Sequence, residues 1–296
     1  MAFAFDSDHF RDAVLSTVDW QHFEKFKHFR DEDPACPRLL HRFESANSVN
    51  SAFDQQSNNG YTWLTERNDE IAYFHVAGFV THVSIGPVNG GHADRVGARR
   101  YMQTITITGL GDSVFGRAVD TVNYINDFLV ESGRSIKSLP SVSVLGGKFV
   151  GLTAMTRLMT PAEHKGGFSV ISPIPSQLDV DGCMQNWVNK GDFVYTVDNQ
   201  VDLVNMKGIE NAPETWEHEA DLAPSRICVG NLVEVLVSFR VAPFANHVKK
   251  VQCHLERITK ISSEATSSRE AVWDPNGLFP LLRDVLSVKG WKSIHW

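Results

Sequence analysis

The stretch Val229 to Ser262, VGNLVEVLVSFRVAPFANHVKKVQCHLERITKIS, constrains the fold more than any other. Gly230-Asn231 opens it, and Leu232 to Val241 is dense in β-branched and apolar residues. Pro243 to His247 turns the chain, and Val248 to Ile261 returns. This is a β-hairpin. Side chains alternate across a strand, so Val233, Val235, Val237, Phe239 and Val241 share one face, with Leu232, Glu234, Leu236, Ser238 and Arg240 on the other. The first set is wholly apolar and is expected in a core. The second is mixed and is expected to face a groove or water.

A hairpin this apolar needs further strands to close over it. Candidates lie at 71–85, 102–109, 141–145, 148–158 and 193–197, with Gly146-Gly147 as a tight turn between the third and fourth. Asp112 or Ser113 can cap a helix over 117–131, where Val119, Val122, Ile125 and Leu129 form an apolar stripe. That helix falls between the second and third strands. The set predicts a mainly β (α+β) fold: an OB-like Greek-key barrel or a β-sandwich, with a helical N-terminal segment. Strand 71–85 is apolar on both faces, as expected of a strand covered on both sides or bent at Gly78. His75 and His82, seven apart, are expected on opposite faces of it.

The N-terminal segment reads as helical over 6–44. Within it WQHFEKFKHF alternates Trp20, Phe23 and Phe26 with His22, Lys25, Lys27 and His28, as either a cationic stacking surface or an amphipathic helix with its rings inward. Residues 45–69, rich in Ser, Asn and Gln, read as a loop or linker, with Tyr61 and Trp63 near its end beginning the folded β region, and 198–226 as an acidic, solvated loop or short insertion. The expected organisation is a helical segment and linker over 1–60, a barrel or sandwich over 61–262, and a C-terminal linker with a short helix (278–286) over 263–296.

The chain has 296 residues and a net charge of −7. By segment the charge is −4 over 1–65, +1 over 66–165, −7 over 166–244 and +3 over 245–296. An acidic molecule does not hold nucleic acid by its overall field, so any such site must be a local groove in the two basic segments. No apolar run approaches the ~18 residues of a membrane helix, and MAFAFDSDHFRD does not have the pattern of a secretory signal. Cys36, Cys183, Cys228 and Cys253 have neither ligand nor disulfide spacing, which favours an intracellular protein, nuclear or cytoplasmic, with reduced thiols. GxSxG, HExxH, CxxC and P-loop patterns are absent. GLGDSVFG is not a dinucleotide fingerprint, and Asp179 and Asp181 in LDVDG lack the rest of a calcium loop and read as a turn. No catalytic residue, metal or cofactor is expected, although an enzyme without a local motif stays open as a third reading.

Cations and rings gather at two places. Arg99, Arg100 and Tyr101 stand at the entrance of strand 102–109. Arg240, Phe244, Lys249 and Lys250 surround the hairpin turn. Lys148, Phe149 and Arg157 could extend them along one sheet edge or face. GNLVEVLVSFRVAPF and VKKVQCHLERITKI resemble the closing hairpin of phage-type OB-fold single-stranded-DNA-binding proteins, and RRYMQTITITGLGD resembles uncharacterised fungal proteins. The resemblance does not extend to the acidic tail of the phage proteins, in whose place stands Lys292 to Trp296. It implies a barrel with one sheet face gripping single-stranded nucleic acid. Arg99, Arg100, Arg240, Lys249 and Lys250 would then meet phosphates, and Tyr101, Phe149 and Phe244 would stack on bases. The competing reading is a coat or scaffold subunit that forms homo-oligomers through its apolar strands and aromatic termini.

Overall fold

The structure, a computed structural model, describes residues 18–32, 38–58, 61–87, 101–131, 136–164, 170–209, 212–243 and 248–262. Arg99, Arg100, Phe244 and the C-terminal segment 263–296 lie outside the described residues. In chain order the elements are α1 (Val18–Glu32), α2 (Ala46–Ala52), β1 (Phe53–Asn58), β2 (Tyr61–Glu66), β3 (Tyr73–Ser84), β4 (Met102–Thr108) and α3 (Ser113–Glu131). There follow β5 (Ile136–Lys137), β6 (Val142–Val144), β7 (Phe149–Arg157), β8 (Thr160–Pro161), α4 (Cys183–Asn189) and β9 (Phe193–Val194). The chain continues with β10 (Asp202–Ile209), β11 (Ala212–Asp221), β12 (Leu232–Pro243) and β13 (Lys249–Ser262).

Five strands close a ring. β3 pairs antiparallel with β4 and with β12, β4 with β7, and β12 with β13, while β13 meets β7 in parallel at His254↔Met155. This is the OB-like barrel of the two expected architectures. Val233, Val235, Val237, Phe239 and Val241 all enter its core, as their alternation requires.

The helix α3 closes one end of the barrel. Asp112 Oδ1 accepts from Phe115 N at 2.9 Å, and this cap starts the helix at Ser113 rather than at 117. Phe115, Ala118, Val122, Ile125 and Leu129 then join the barrel core. Gly109 is required at the entry: a Cβ there would sit 2.3 Å from Phe115 Cβ. The turn at 145–148 also needs its glycines, since Gly146 and Gly147 have φ of 72° and 87°.

β3 shows why its sequence is apolar on both faces. Residues 73–79 pair with β12, and residues 79–84 pair with β4. The strand changes partner beside Gly78, where a Cβ would lie 3.0 Å from the Thr108 carbonyl oxygen. An irregularity between Val80 and His82 adds one residue and inverts the alternation. His75 and His82 therefore both face outward, a correction to the opposite faces expected from their spacing.

The segment expected as a loop or linker before the barrel, and the one expected as a solvated loop or short insertion, both hold strand pairs. Residues 45–69 hold α2 and the antiparallel hairpin β1–β2, which docks on β12 at Trp63↔Arg240 and Thr62↔Val241. Ser45 caps α2, and Phe53 and Leu64 are buried. Residues 198–226 hold the antiparallel pair β10–β11, joined to the barrel through a parallel β10–β13 contact. In both segments the strand pair is local but docks on a barrel strand remote in sequence, so local polarity misdirects the reading.

α1 resolves as the amphipathic alternative. Phe23 and Phe26 are buried and pack with Trp20, Phe79, Leu110, Leu232, Met206 and Ile261 on the outside of the barrel. Lys27 Nζ donates to Asp112 Oδ2 at 2.6 Å. The insertion between β7 and β10 has its own small core, including Leu158, Met184, Trp187, Phe193 and Tyr195. There Asp179 accepts from Met184 N and Gln185 N, so LDVDG is a turn capping α4.

Candidate nucleic-acid interface

The outward surface of β12 continues in both directions around the barrel. Because Trp63 pairs with Arg240, Trp63 and Tyr61, two residues apart on β2, share the face that carries Arg240. On β13 the core takes Val251, Cys253 and Leu255, which leaves Lys250, Gln252 and His254 facing outward. β5 pairs in parallel with β13 at Lys137↔Lys250; Ile136 packs on the core and Lys137 is exposed. Met155 lies opposite His254, with Arg157 beyond it, and both pair with β4 at Thr104 and Met102. These β4 and β7 side chains are half-exposed. One sheet surface thus brings together Tyr61, Trp63, Lys137, Arg157, Arg240 and Lys250.

At its centre the guanidinium carbon of Arg240 lies 5.1 Å from the Tyr61 ring centroid and 4.8 Å from that of Trp63. The two centroids are 6.4 Å apart, and Trp63 meets His254 edge-on at 6.0 Å. Arg240 Nε donates to Gln252 Oε1 at 3.3 Å. Beside it Ser238 Oγ donates to Glu256 Oε1 at 2.6 Å. Burial lowers the pKa of Arg240, against the opposing pull of Tyr61, Asp198 and Glu256. Burial raises that of Glu256; Asp198 and Asp202 add to the rise, while Ser238 and Arg240 oppose it.

Burial, reinforced by the Arg240 charge, holds His254 well below its ordinary 6.5. The folded protein therefore keeps this imidazole neutral where the unfolded chain would protonate it. Stability is expected to fall as pH drops below 6.5, by at most about 1.4 kcal/mol per pH unit from this group. Urea denaturation between pH 7 and pH 5 checks this, with His254→Gln flattening the slope.

The other expected site residues are dispersed. Lys148, exposed, precedes β7, Phe149, half-buried near Leu110 and Gly111, begins it, and Arg157 ends it. Eight residues of extended chain separate Phe149 from Arg157 by about 26 Å, so the three do not form one patch. Tyr101 packs against the small core of the insertion. Lys249, exposed, and Lys250 begin β13 beside Lys137. Tyr61 and Trp63, expected only as the start of the folded β region, and Lys137, Gln252 and His254 are not among the site residues expected from the sequence. The usable signal for the first two was Asn59-Gly60, a strong hairpin dipeptide, followed by the alternation of YTWLTE.

The chain matches no family model and no curated protein. It is similar to the solved structure of the single-stranded DNA-binding protein from bacteriophage Enc34 in complex with ssDNA. That match has 8% identity over 70% of this chain and 93% of that one, with a TM-score of 0.36. It is also similar to gp2.5, a single-stranded DNA-binding protein encoded by bacteriophage T7, with 12% identity, 70% and 97% coverage, and a TM-score of 0.35. The similarity to phage proteins expected from the hairpin is therefore found, at low identity.

Proposed function

We propose that this protein binds single-stranded nucleic acid, without catalysis, across the outward surface of β7, β13 and β2. The observation that carries this is the convergence of two partly exposed rings, Tyr61 and Trp63, with Lys137, Lys250 and Arg157 on one continuous sheet surface. Stacking needs an unpaired base, which selects single strands, and contributes about 1–3 kcal/mol per base. The lysines supply phosphate contacts within a molecule whose net charge is −7. In OB barrels the face of strands two and three, between the loops joining strands one–two and four–five, receives oligonucleotides. Strands four and five are here β12 and β13, so Lys249 and Lys250, which begin β13, stand at the second of these connections. The unpaired Cys183, Cys228 and Cys253 accord with an intracellular setting.

Fluorescence polarisation with a labelled oligonucleotide at low salt tests the proposal. Trp63→Ala is expected to weaken binding at least fivefold, the lower end of one lost stack. Lys249→Ala/Lys250→Ala is expected to make the salt dependence shallower by about one unit per lost phosphate contact. No binding at low salt would overturn the reading. A second reading, an assembly subunit, draws on Val170, Ile171 and Val197, which are 62%, 60% and 45% exposed and adjoin through Val197 N to the Val170 carbonyl. Light scattering that shows a large oligomer, with no oligonucleotide affinity, favours it instead.

A further inference from the structure

We infer that Arg240 is a positioning residue, which holds Tyr61 and Trp63 as a base-stacking platform and makes no phosphate contact of its own. This deepens the proposed nucleic-acid reading and rests on it. Three observations point the same way. Arg240 is only 6% exposed, so a phosphate could reach it only if the two rings moved aside. Its guanidinium lies against both rings at about the distance of a cation–π contact, 5.1 and 4.8 Å, and is fixed by Gln252. Its charge also has company: Glu256, tied to Ser238, and Asp198 act on it electrostatically and would repel a phosphate, against the single like charge of Arg157.

The consequence is a groove with chemically distinct sides. Bases meet Tyr61 and Trp63 above Arg240. Phosphates run past Lys137 and Lys250, which the β5–β13 register sets side by side. A planar guanidinium can lie along two rings and hold a fixed donor direction to Gln252, whereas a lysine ammonium cannot. Arg240 therefore acts on the bases through the rings.

The test compares binding of a fluorescein-labelled oligothymidylate with that of an abasic strand of equal length, each over a salt series. The wild-type chain is expected to prefer the base-bearing strand. Arg240→Met is expected to lose about tenfold on oligothymidylate. It should leave abasic binding and both salt slopes unchanged. Arg240→Lys, which keeps the charge, should not restore the loss. In a Trp63→Ala background Arg240→Met should add little, because the two act as one unit. If Arg240→Met weakens both strands equally and lowers the salt slope by about 1, Arg240 is a phosphate contact and the inference falls alone. Full additivity with Trp63→Ala overturns it as well, including where a partly unfolded variant loses affinity for general reasons. If the wild-type chain binds neither strand, the nucleic-acid reading falls and takes this inference with it.

Discussion

Replacing Arg30 by alanine is expected to remove about 3–5 kcal/mol of folding stability, because it strips a buried carboxylate of its two-pronged partner. Arg30 Nε donates to Glu234 Oε1 at 2.9 Å and Nη2 to Oε2 at 2.7 Å, the two-pronged geometry that a guanidinium alone supplies. Glu234 is 3% exposed, and His75 Nδ1 lies 3.1 Å from its Oε2. Burial by itself would raise the pKa of Glu234, but His75 and Arg30 together outweigh it and hold the carboxyl below 4.5. In the parent, the stabilisation from this group is complete above pH 4.5 and is lost as pH falls through the lowered folded value. In the variant only His75 still opposes burial, so the folded pKa rises relative to the parent's. The deficit relative to the parent should then shrink as pH falls through that raised value. Urea denaturation at neutral and acidic pH reads both effects. A double change, Arg30→Met with Glu234→Leu, should recover most of the loss, since an apolar pair leaves no buried charge. A double variant as unstable as Arg30→Ala would assign the loss to packing of α1 instead.

Phe74→Ala is expected to be as damaging, about 3–5 kcal/mol. Phe74 is fully buried, and its ring centroid lies 5.8, 5.3 and 5.6 Å from those of Phe43, Phe53 and Phe239. Phe43 and Phe53 bracket α2, and Phe239 belongs to the barrel. Phe74 is thus where the N-terminal hairpin region and the barrel share a core. Truncation loses the transfer free energy of the ring and leaves a cavity among Phe43, Phe53 and Phe239 that the packed core can close only in part. Phe74→Leu should lose markedly less, and a urea midpoint shift at unchanged slope would attribute the change to stability alone. Because β2 reaches the interface through β12, Phe74→Ala should also loosen the Trp63–Arg240 contact, visible as a shift in tryptophan emission below the unfolding midpoint.

The hairpin β12–β13 was legible because its signal is local. Alternation over Val233 to Val241 stated which side chains enter the core, and the structure places all five there. The same kind of signal located β3, β4, β7 and α3 to within a few residues. It failed where an element is polar by composition and is stabilised from afar. Gln55 and Gln56 in β1 carry no apolar alternation. β1 pairs with β2, and β2 docks on β12 some 180 positions further along. His82 shows the complementary failure: parity is reliable only while a strand is regular, and one irregularity after Val80 reversed it.

Arg240 divides the two kinds of information most clearly. Its outward direction followed from its place between Phe239 and Val241, because a strand has a period of two whatever surrounds it. That it would lie beneath Tyr61 and Trp63, with Glu256 and Asp198 near its charge, followed from nothing local. The sequence alone determined the barrel strands β3, β4, β7, β12 and β13, the inner face of β12 and the absence of a recognisable catalytic motif. Closure of the barrel, the docking of β2 on β12 and the meeting of Lys137 with Lys250 were decided only in the tertiary structure. Each of these depends on register between segments distant in the chain, and register is set by the packing of whole faces rather than by any short run of residues.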